Sequence, residues 1–268
     1  MSAELDVLLD GRRFGYVDFG PQAGIPVLAL HGHFGRGRMF GFLGEALAPE
    51  YRVLALDQRG HGRTAVGGPF DPDEYVADAA AFVRHLGLGP IVVCGHSMGG
   101  IIAYRLAARH PELVRALVLE ESAAVVGGPE VGPAVLDVSH WPRGAAGREQ
   151  LAAVVTGFGA PVADYFLDNT EFDGSGWRFP FDPADMMASQ RALIGDWWPD
   201  WLGSDCPALL VHGGRSTLLP TAMARAMTAR RPGTTLVVFP ESGHFVHLEE
   251  RAGFLTAVRD FLGALPRP

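Results

Sequence analysis

A serine flanked by glycines carries the strongest chemical signal in the sequence. The stretch Gly95–Gly100 reads GHSMGG, which places Ser97 in a G-x-S-x-G pattern. The apolar run Ile91–Cys94 precedes it, and a helical pattern follows from about Ile101. A serine at a strand-to-helix turn is held in a strained backbone conformation, and the glycines on either side let the chain approach itself there. The spacing therefore predicts an exposed, nucleophilic hydroxyl at Ser97.

A histidine late in the chain could activate that hydroxyl. A serine is a weak nucleophile without an adjacent base, and histidine suits this role near neutral pH. The chain has ten histidines, most of which must be structural or exposed. His244 follows the last strand-like run, Leu236–Phe239, and precedes the last helical pattern. We expect His244 to be the general base.

The stretch 31–35, which reads HGHFG, is the third chemical signal. Acyl transfer needs two donors for the oxyanion, and the backbone N–H after the nucleophile, at Met98, supplies one. The loop after the strand-like run Val27–Leu30 supplies the other, for which His33 is the first candidate and Phe34 the second. Two histidines one residue apart could also suggest a metal, but no cysteine or carboxylate partner lies nearby in the sequence. We expect no metal site and no cofactor.

These motifs resemble the α/β-hydrolase family, in its capped branch of esterases, lactonases, C–C bond hydrolases, cofactor-free haloperoxidases, epoxide hydrolases and haloalkane dehalogenases. The matching stretches span nearly the whole core in the family's order: His31-Gly32, Asp57–Gly62, Gly95–Gly99 and Gly243–Phe245. The resemblance implies a mostly parallel sheet flanked by helices, with an inserted helical cap. It also implies that Asp57 and Arg59 are structural. Epoxide hydrolases and haloalkane dehalogenases carry Asp at the nucleophile position, so Ser97 disfavours both.

The sequence departs from the family at the acid that supports the histidine. Relatives usually carry Asp after the seventh strand, where this chain has Thr217, which has no charge to stabilise an imidazolium. Some family members place the acid one strand after the nucleophile, where Ala116–Leu119 runs into Glu120 and Glu121. Successive strand residues point to opposite faces, so only one of the two can reach His244. Glu121 matches that strand position better; Glu120, or no carboxylate at all, remains the alternative.

The segments around these motifs alternate between strand-like and helix-like patterns, which predicts an α/β fold with an open, mostly parallel sheet. Leu5–Leu9 and Phe14–Phe19 predict an N-terminal hairpin. The runs expected to form buried strands are Val27–Leu30, Val53–Leu56, Ile91–Cys94, Ala116–Leu119, Ala208–Val211 and Leu236–Phe239. The helical patterns lie at about 73–85, 101–109, 221–230 and 247–262.

The alternation breaks between residues 123 and 203, a stretch rich in Gly, Pro and aromatic residues. We therefore expect a core of 1–122 and 204–268 and a cap (lid) insertion of 123–203. All five tryptophans fall in this insertion: Trp141, Trp177, Trp197, Trp198 and Trp201. Most should seal the cap onto the core, and one or two should face an apolar substrate. Trp141, Trp197 and Trp198, together with Phe34, are the substrate-binding candidates.

Composition narrows the class of partner. The 268 residues carry a formal net charge of -8, and such an acidic surface disfavours nucleic acid and anionic membranes. Cys94 and Cys206 are expected to be free thiols. The N-terminus lacks the features of a signal peptide, and no apolar run reaches about 18 residues, so we expect a cytoplasmic protein with a small-molecule substrate. No feature of the sequence indicates an oligomeric state.

The leading interpretation is a serine hydrolase that cleaves a carboxylic ester, thioester or lactone of a small, largely apolar molecule through an acyl-enzyme. A C–C bond hydrolase or a cofactor-free haloperoxidase could use the same residues. A ligand-binding, receptor-like protein with little turnover is the alternative from another class, because the usual Asp is missing.

Overall fold

Eight strands build one central sheet in the computed structural model, which describes residues 2–129, 131–132, 135–159 and 161–267. The strands in chain order are β1 (Ala3–Leu9), β2 (Arg12–Asp18), β3 (Ile25–Leu30), β4 (Tyr51–Leu56), β5 (Ile91–His96), β6 (Val114–Glu120), β7 (Val125–Val126), β8 (Glu171–Phe172), β9 (Trp177–Arg178), β10 (Gly195–Asp196), β11 (Ala208–Gly213) and β12 (Thr234–Phe239). The sheet has the order β1-β2-β4-β3-β5-β6-β11-β12, while β7 pairs with β10 and β8 with β9.

The sheet is antiparallel at its N-terminal edge and parallel through its centre. β1 and β2 form the predicted hairpin, and β2 pairs antiparallel with β4. From β4 through β12 every neighbouring pair is parallel. All six residues of β5 and of β11 are buried, because helices cover both faces of the sheet. The α/β prediction and the six predicted core strands are confirmed.

Ten α-helices accompany the strands in the described part of the chain. They are α1 (Gly41–Leu47), α2 (Pro72–His85), α3 (Met98–Arg109), α4 (Arg148–Val155), α5 (Val162–Asp168), α6 (Pro183–Ala192), α7 (Trp198–Trp201), α8 (Thr221–Arg230), α9 (Val246–Glu249) and α10 (Arg251–Ala264). Side chains of α1 and α10 pack on one face of the sheet, and those of α2, α3 and α8 pack on the other. The single helix predicted over 247–262 is wrong, since Glu250 leaves the helical region (φ -131°, ψ 46°) and divides α9 from α10.

The segment 123–203 contributes α4 to α7 and a hydrophobic cluster of its own. This cluster consists of Val138, Leu151, Val155, Phe166, Phe179, Phe181, Met186 and Met187. Phe34, from the loop after β3, packs against it. The end of the segment instead joins the main core: the Trp201 ring meets Tyr104 of α3 edge-on, and its Nε1 donates to the Met227 carbonyl at 3.0 Å.

Trp201 should therefore be a large contributor to stability. Its side chain is fully buried (0% exposed), so Trp201→Ala removes a large ring and leaves the Met227 carbonyl without its donor. We expect a loss of about 3–5 kcal/mol in the free energy of unfolding, measured by urea denaturation. The control Phe172→Ala, at a ring that is 59% exposed, should change it by about 0.5 kcal/mol or less. Equal effects of the two substitutions would contradict this packing.

Candidate active site

Ser97 occupies the sharp turn between β5 and α3, as the sequence predicted. Its backbone has φ 53° and ψ -120°, and its N–H donates to the Glu120 carbonyl of β6 at 2.8 Å. Side chains at the neighbouring glycines are excluded: a Cβ on Gly99 would collide with the Leu30 carbonyl, and one on Gly100 with the Ser122 hydroxyl. The turn can be this tight because those two positions carry no side chain.

Backbone strain is concentrated around one cavity. Among the described residues, four non-glycine residues have a positive φ: Asp10, Phe34, Ser97 and Glu121. Asp10 lies in the turn of the N-terminal hairpin, whereas the other three line the same cavity. Positive φ costs a non-glycine residue free energy and persists only where the surroundings enforce it, which is typical of functional sites.

Glu121 lies beside His244. Its Oε2 is 3.3 Å from His244 Nδ1, while its Oε1 accepts from His212 Nδ1 at 2.9 Å and from the Gly213 N–H at 2.8 Å. The side chain is fully buried, and burial alone would raise its pKa. The hydrogen bonds from His212 and His244 outweigh burial and lower the pKa of Glu121 to about 2. Glu121 is therefore a carboxylate at neutral pH.

Glu120 points away from His244. Both of its oxygens are 2.9 Å from His247 Nδ1, and Oε1 also accepts the His247 N–H at 2.9 Å. β6 ends at Glu120 and the backbone turns at Glu121 (φ 54°), so the two acids reach different histidines. The contact at the start of α9 fixes the loop that carries His244. Sequence reasoning missed both His212, which directly follows the predicted strand Ala208–Val211, and His247, which stands at the start of the helix predicted over 247–262.

His96, the residue before the nucleophile, also holds the His244 loop. Its Nε2 donates to the His244 carbonyl at 3.0 Å, and burial lowers the pKa of His96 to about 3, so the ring is neutral. His96, Glu120 and His247 have potential metal-ligating atoms within 4.8 Å of one another. Glu120 already pairs with His247, and His96 Nε2 with the His244 carbonyl, so these groups serve as a support for the His244 loop.

The predicted oxyanion loop lies against the nucleophile. A Cβ built on Gly32 would lie 3.1 Å from Ser97 Cβ, and the Tyr165 hydroxyl donates to the His33 carbonyl at 3.0 Å. Within the described residues, the backbone N–H groups of His33 and Met98 donate to no protein acceptor. Two such donors near a serine can hold a negatively charged oxygen.

His31 and Asp57 steady the surrounding loops. His31 Nε2 accepts the Gln58 N–H at 3.0 Å, and Asp57 accepts from the N–H groups of Gly37 (2.7 Å) and Arg63 (2.9 Å). Arg59 forms a two-bond pair with Asp78 at 2.6 and 2.8 Å. These contacts lie within the protein, which agrees with a structural role for Asp57 and Arg59.

Ser97 and His244 line one cavity of about 270 Å³. Its apolar lining includes Phe34, Ile101, Tyr165, Phe166, Leu193 and Phe245. No Lys or Arg is found among its described lining residues. No hydrogen bond joins the Ser97 hydroxyl to the His244 ring among the described contacts, and such bonds commonly close only around a bound substrate.

The tryptophan candidates do not border this cavity, so the prediction that Trp141, Trp197 or Trp198 binds substrate is wrong. Trp141 packs among phenylalanines of its own segment. Guanidinium groups cover the other two rings: Arg105 lies 4.1 Å from the Trp197 ring centroid and Arg230 4.0 Å from that of Trp198. Phenylalanine and tyrosine supply the aromatic lining instead, and among the candidates only Phe34 is part of it.

The chain belongs to the α/β-hydrolase family: a family model described as "alpha/beta hydrolase fold" matches residues 25–251. It is 30% identical over 263 residues to a pimeloyl-[acyl-carrier protein] methyl ester esterase of Neisseria meningitidis serogroup A, covering 92% of this chain and 80% of that protein. It is 27% identical over 276 residues to a putative 2-succinyl-6-hydroxy-2,4-cyclohexadiene-1-carboxylate synthase of Bacillus subtilis, covering 96% and 97%.

The fold itself matches solved structures over the full length. The crystal structure of E-2-(acetamidomethylene)succinate hydrolase superposes with a TM-score of 0.85 at 24% identity, covering 98% of this chain and all of that one. The family match and the esterase relative together make the protein an enzyme of the hydrolase class. None of its described helices is long and apolar enough to cross a membrane.

The ionised Glu121 should make stability depend on pH in the acid range. The pKa in the folded protein lies below the ordinary value of 4.5, so its stabilising effect is complete above about pH 4.5 and is lost as the pH falls through about 2. The shift corresponds to on the order of 3 kcal/mol. Urea denaturation between about pH 5 and pH 2 should show a smaller loss of stability in Glu121→Gln than in the wild type.

The exposed Glu45 provides the control, since Glu45→Gln should keep the wild-type pH dependence. If Glu121→Gln and the wild type lost stability in parallel over this range, Glu121 would not be a stabilising carboxylate.

Proposed function

We propose that the protein cleaves a carboxylic ester, thioester or lactone of a small, largely apolar molecule through an acyl-enzyme. The observation that carries this proposal is the contact between Glu121 and His244 on the cavity that Ser97 lines. It supplies the carboxylate that the usual position, Thr217, lacks. This contact argues against a receptor-like protein with little turnover, the alternative that the missing Asp raises.

In the first half-reaction the Ser97 oxygen attacks the carbonyl carbon while His244 Nε2 takes the hydroxyl proton. The N–H groups of Met98 and His33 bind the oxyanion of the tetrahedral intermediate. Glu121 holds His244 Nδ1–H and stabilises the imidazolium. His244 then gives its proton to the departing alkoxide or thiolate, and the acyl group remains on Ser97.

In the second half-reaction a water molecule attacks the acyl carbon and loses a proton to His244. The new tetrahedral intermediate collapses, the proton returns to the Ser97 oxygen, and the carboxylic acid leaves. No cofactor takes part in either half. The similarity to a methyl ester esterase supports an ester as substrate. Cleavage of a C–C bond beside a ketone is the second candidate, since it uses the same residues.

We further propose that the segment 123–203 acts as the cap over the core of 1–122 and 204–268. It contributes Tyr165, Phe166 and Leu193 to the cavity wall and contains its own hydrophobic cluster. The apolar wall favours uncharged substrates, because a charge moved into it would lose its hydration without gaining a partner.

Ser97→Ala should abolish turnover of 4-nitrophenyl butanoate. Loss of the nucleophile leaves only binding and the oxyanion donors, so we expect kcat/KM to fall by about 10³-fold or more. A fluorophosphonate probe should label the wild type rapidly at Ser97 and leave Ser97→Ala unlabelled. A variant that retained a tenth of wild-type activity would rule out Ser97 as the nucleophile.

Glu121→Gln should keep the fold yet lower kcat by about 10²–10⁴-fold, because an amide neither fixes the His244 tautomer nor stabilises its cation. Glu120→Gln is the matched control, since its carboxylate contacts His247, and its effect on kcat should be at least tenfold smaller. Thr217→Asp in the Glu121→Gln background should restore part of the activity. A larger loss for Glu120→Gln than for Glu121→Gln would refute the assignment.

A further inference from the structure

The side chain of His33 lies at one end of a hydrogen-bonded chain that runs from the cavity into the core. His33 Nε2 is 3.0 Å from the Ser189 hydroxyl of α6, which in turn is 2.6 Å from the Tyr75 hydroxyl of α2. Tyr75 is buried, and burial raises the pKa of its hydroxyl well above the ordinary value, so the hydroxyl keeps its proton. The backbone role proposed for His33 uses none of these side-chain contacts.

The proton of Tyr75 determines which groups donate and which accept in the hydrogen-bonded chain from Tyr75 through Ser189 to His33. Among the described residues its only hydrogen-bond partner is Ser189, so Tyr75 donates to the Ser189 oxygen. The Ser189 proton then has two acceptors within reach, His33 Nε2 at 3.0 Å and the thioether sulfur of Met98 at 4.0 Å. Sulfur is a weak acceptor and the ring nitrogen is the closer one, so Ser189 donates to His33 Nε2.

The tautomer of His33 follows from this direction. Burial, with a smaller contribution from His61, lowers the pKa of His33 to about 3, so the ring is neutral and carries a single N–H. With Nε2 accepting from Ser189, that proton resides on Nδ1. Among the described contacts, Nδ1 has no protein acceptor. The atom is not fully buried, and the ring lines the cavity.

No other polar side chain described in the cavity wall offers a free donor: His96 gives its single proton to the His244 carbonyl, and its unpaired Nδ1 can only accept. Gln190 donates to the Leu136 carbonyl at 3.0 Å and accepts the Leu136 N–H at 2.8 Å. The Tyr165 hydroxyl donates to the His33 carbonyl, and Ser97, Glu121 and His244 belong to the reaction. The His33 ring thus supplies a neutral donor to a wall that is otherwise apolar.

We propose that the Nδ1–H of His33 donates a hydrogen bond to an uncharged oxygen, a ketone or an ether, on the acyl chain of the substrate. The preferred substrates are therefore esters of neutral, oxygen-bearing acids rather than of plain hydrocarbon acids. This specificity rests on the proposed ester hydrolysis. Its physical basis is that a hydrocarbon chain leaves the desolvated donor unpaired, whereas a matching oxygen satisfies it.

The tautomer can be measured without turnover. In protein labelled with ¹⁵N-histidine, the His33 resonances should show a protonated Nδ1 and an unprotonated Nε2. Ser189→Ala and Tyr75→Phe should shift the ring towards the other tautomer, and circular dichroism should confirm that both variants fold. A protonated Nε2 in the wild type would overturn the proposal whatever the activity of any variant.

Paired substrates test the recognition. We would compare the 4-nitrophenyl esters of 4-oxopentanoate with pentanoate, 5-oxohexanoate with hexanoate, and methoxyacetate with butanoate. At least one oxygenated ester should have a kcat/KM about five- to tenfold above that of its hydrocarbon partner, after division by the ratio of their hydroxide-catalysed rates. His33→Phe should remove this preference, and His33→Asn, whose amide N–H can occupy the place of Nδ1–H, should retain part of it.

The outcomes separate this inference from the proposed function. If the wild type cleaved all the esters through Ser97 with no preference, or if His33→Phe lowered both members of each pair equally, ester hydrolysis would stand and the specificity would be refuted. If no ester were cleaved and no fluorophosphonate bound Ser97, the proposed function would fail; a wild-type Nδ1–H tautomer would then support only the structural part of the inference.

Discussion

The carboxylate of Glu121 is the contact on which the rest of the site depends. It binds the rings of His244 and His212 and the N–H of Gly213, and so ties together the ends of β6, β11 and the loop after β12. The strand order makes this possible, since β6 lies between β5 and β11. A residue directly after β6 is thereby placed between the nucleophile and the strand that usually supplies the acid.

The surrounding groups hold this arrangement rigidly. Strained backbone at Phe34, Ser97 and Glu121 is enforced by pairing to neighbouring strands and by close packing, as in the bond from the Glu121 N–H to the Val211 carbonyl at 3.0 Å. On the opposite side, Glu120 anchors the start of α9. The His244 loop is therefore fixed from two sides by consecutive acids, which keeps the ring in place before any substrate binds.

Much of this could be predicted from local patterns. The motif at Ser97 and the buried strands follow from short-range rules, whereas the turn at Glu121 that separates it from Glu120 lies beyond the end of β6. The partner of Glu121 in β11, His212, could not be predicted, because its role depends on which strands are neighbours. The tryptophans were mispredicted as cavity-lining residues for a similar reason. Their clustering in one segment indicates burial, but the surface that each ring contacts depends on tertiary packing. Here Trp197 and Trp198 contact Arg105 and Arg230, respectively.

The most direct test of the account is the proton that Glu121 and His244 are expected to share. In the phosphonate adduct of Ser97, with ¹⁵N-labelled histidine, the Nδ1–H of His244 should give a proton resonance far downfield of the amides. It should disappear or move strongly upfield in Glu121→Gln and persist in Glu120→Gln. An unchanged resonance in Glu121→Gln would show that another group holds His244, and the central claim would be wrong.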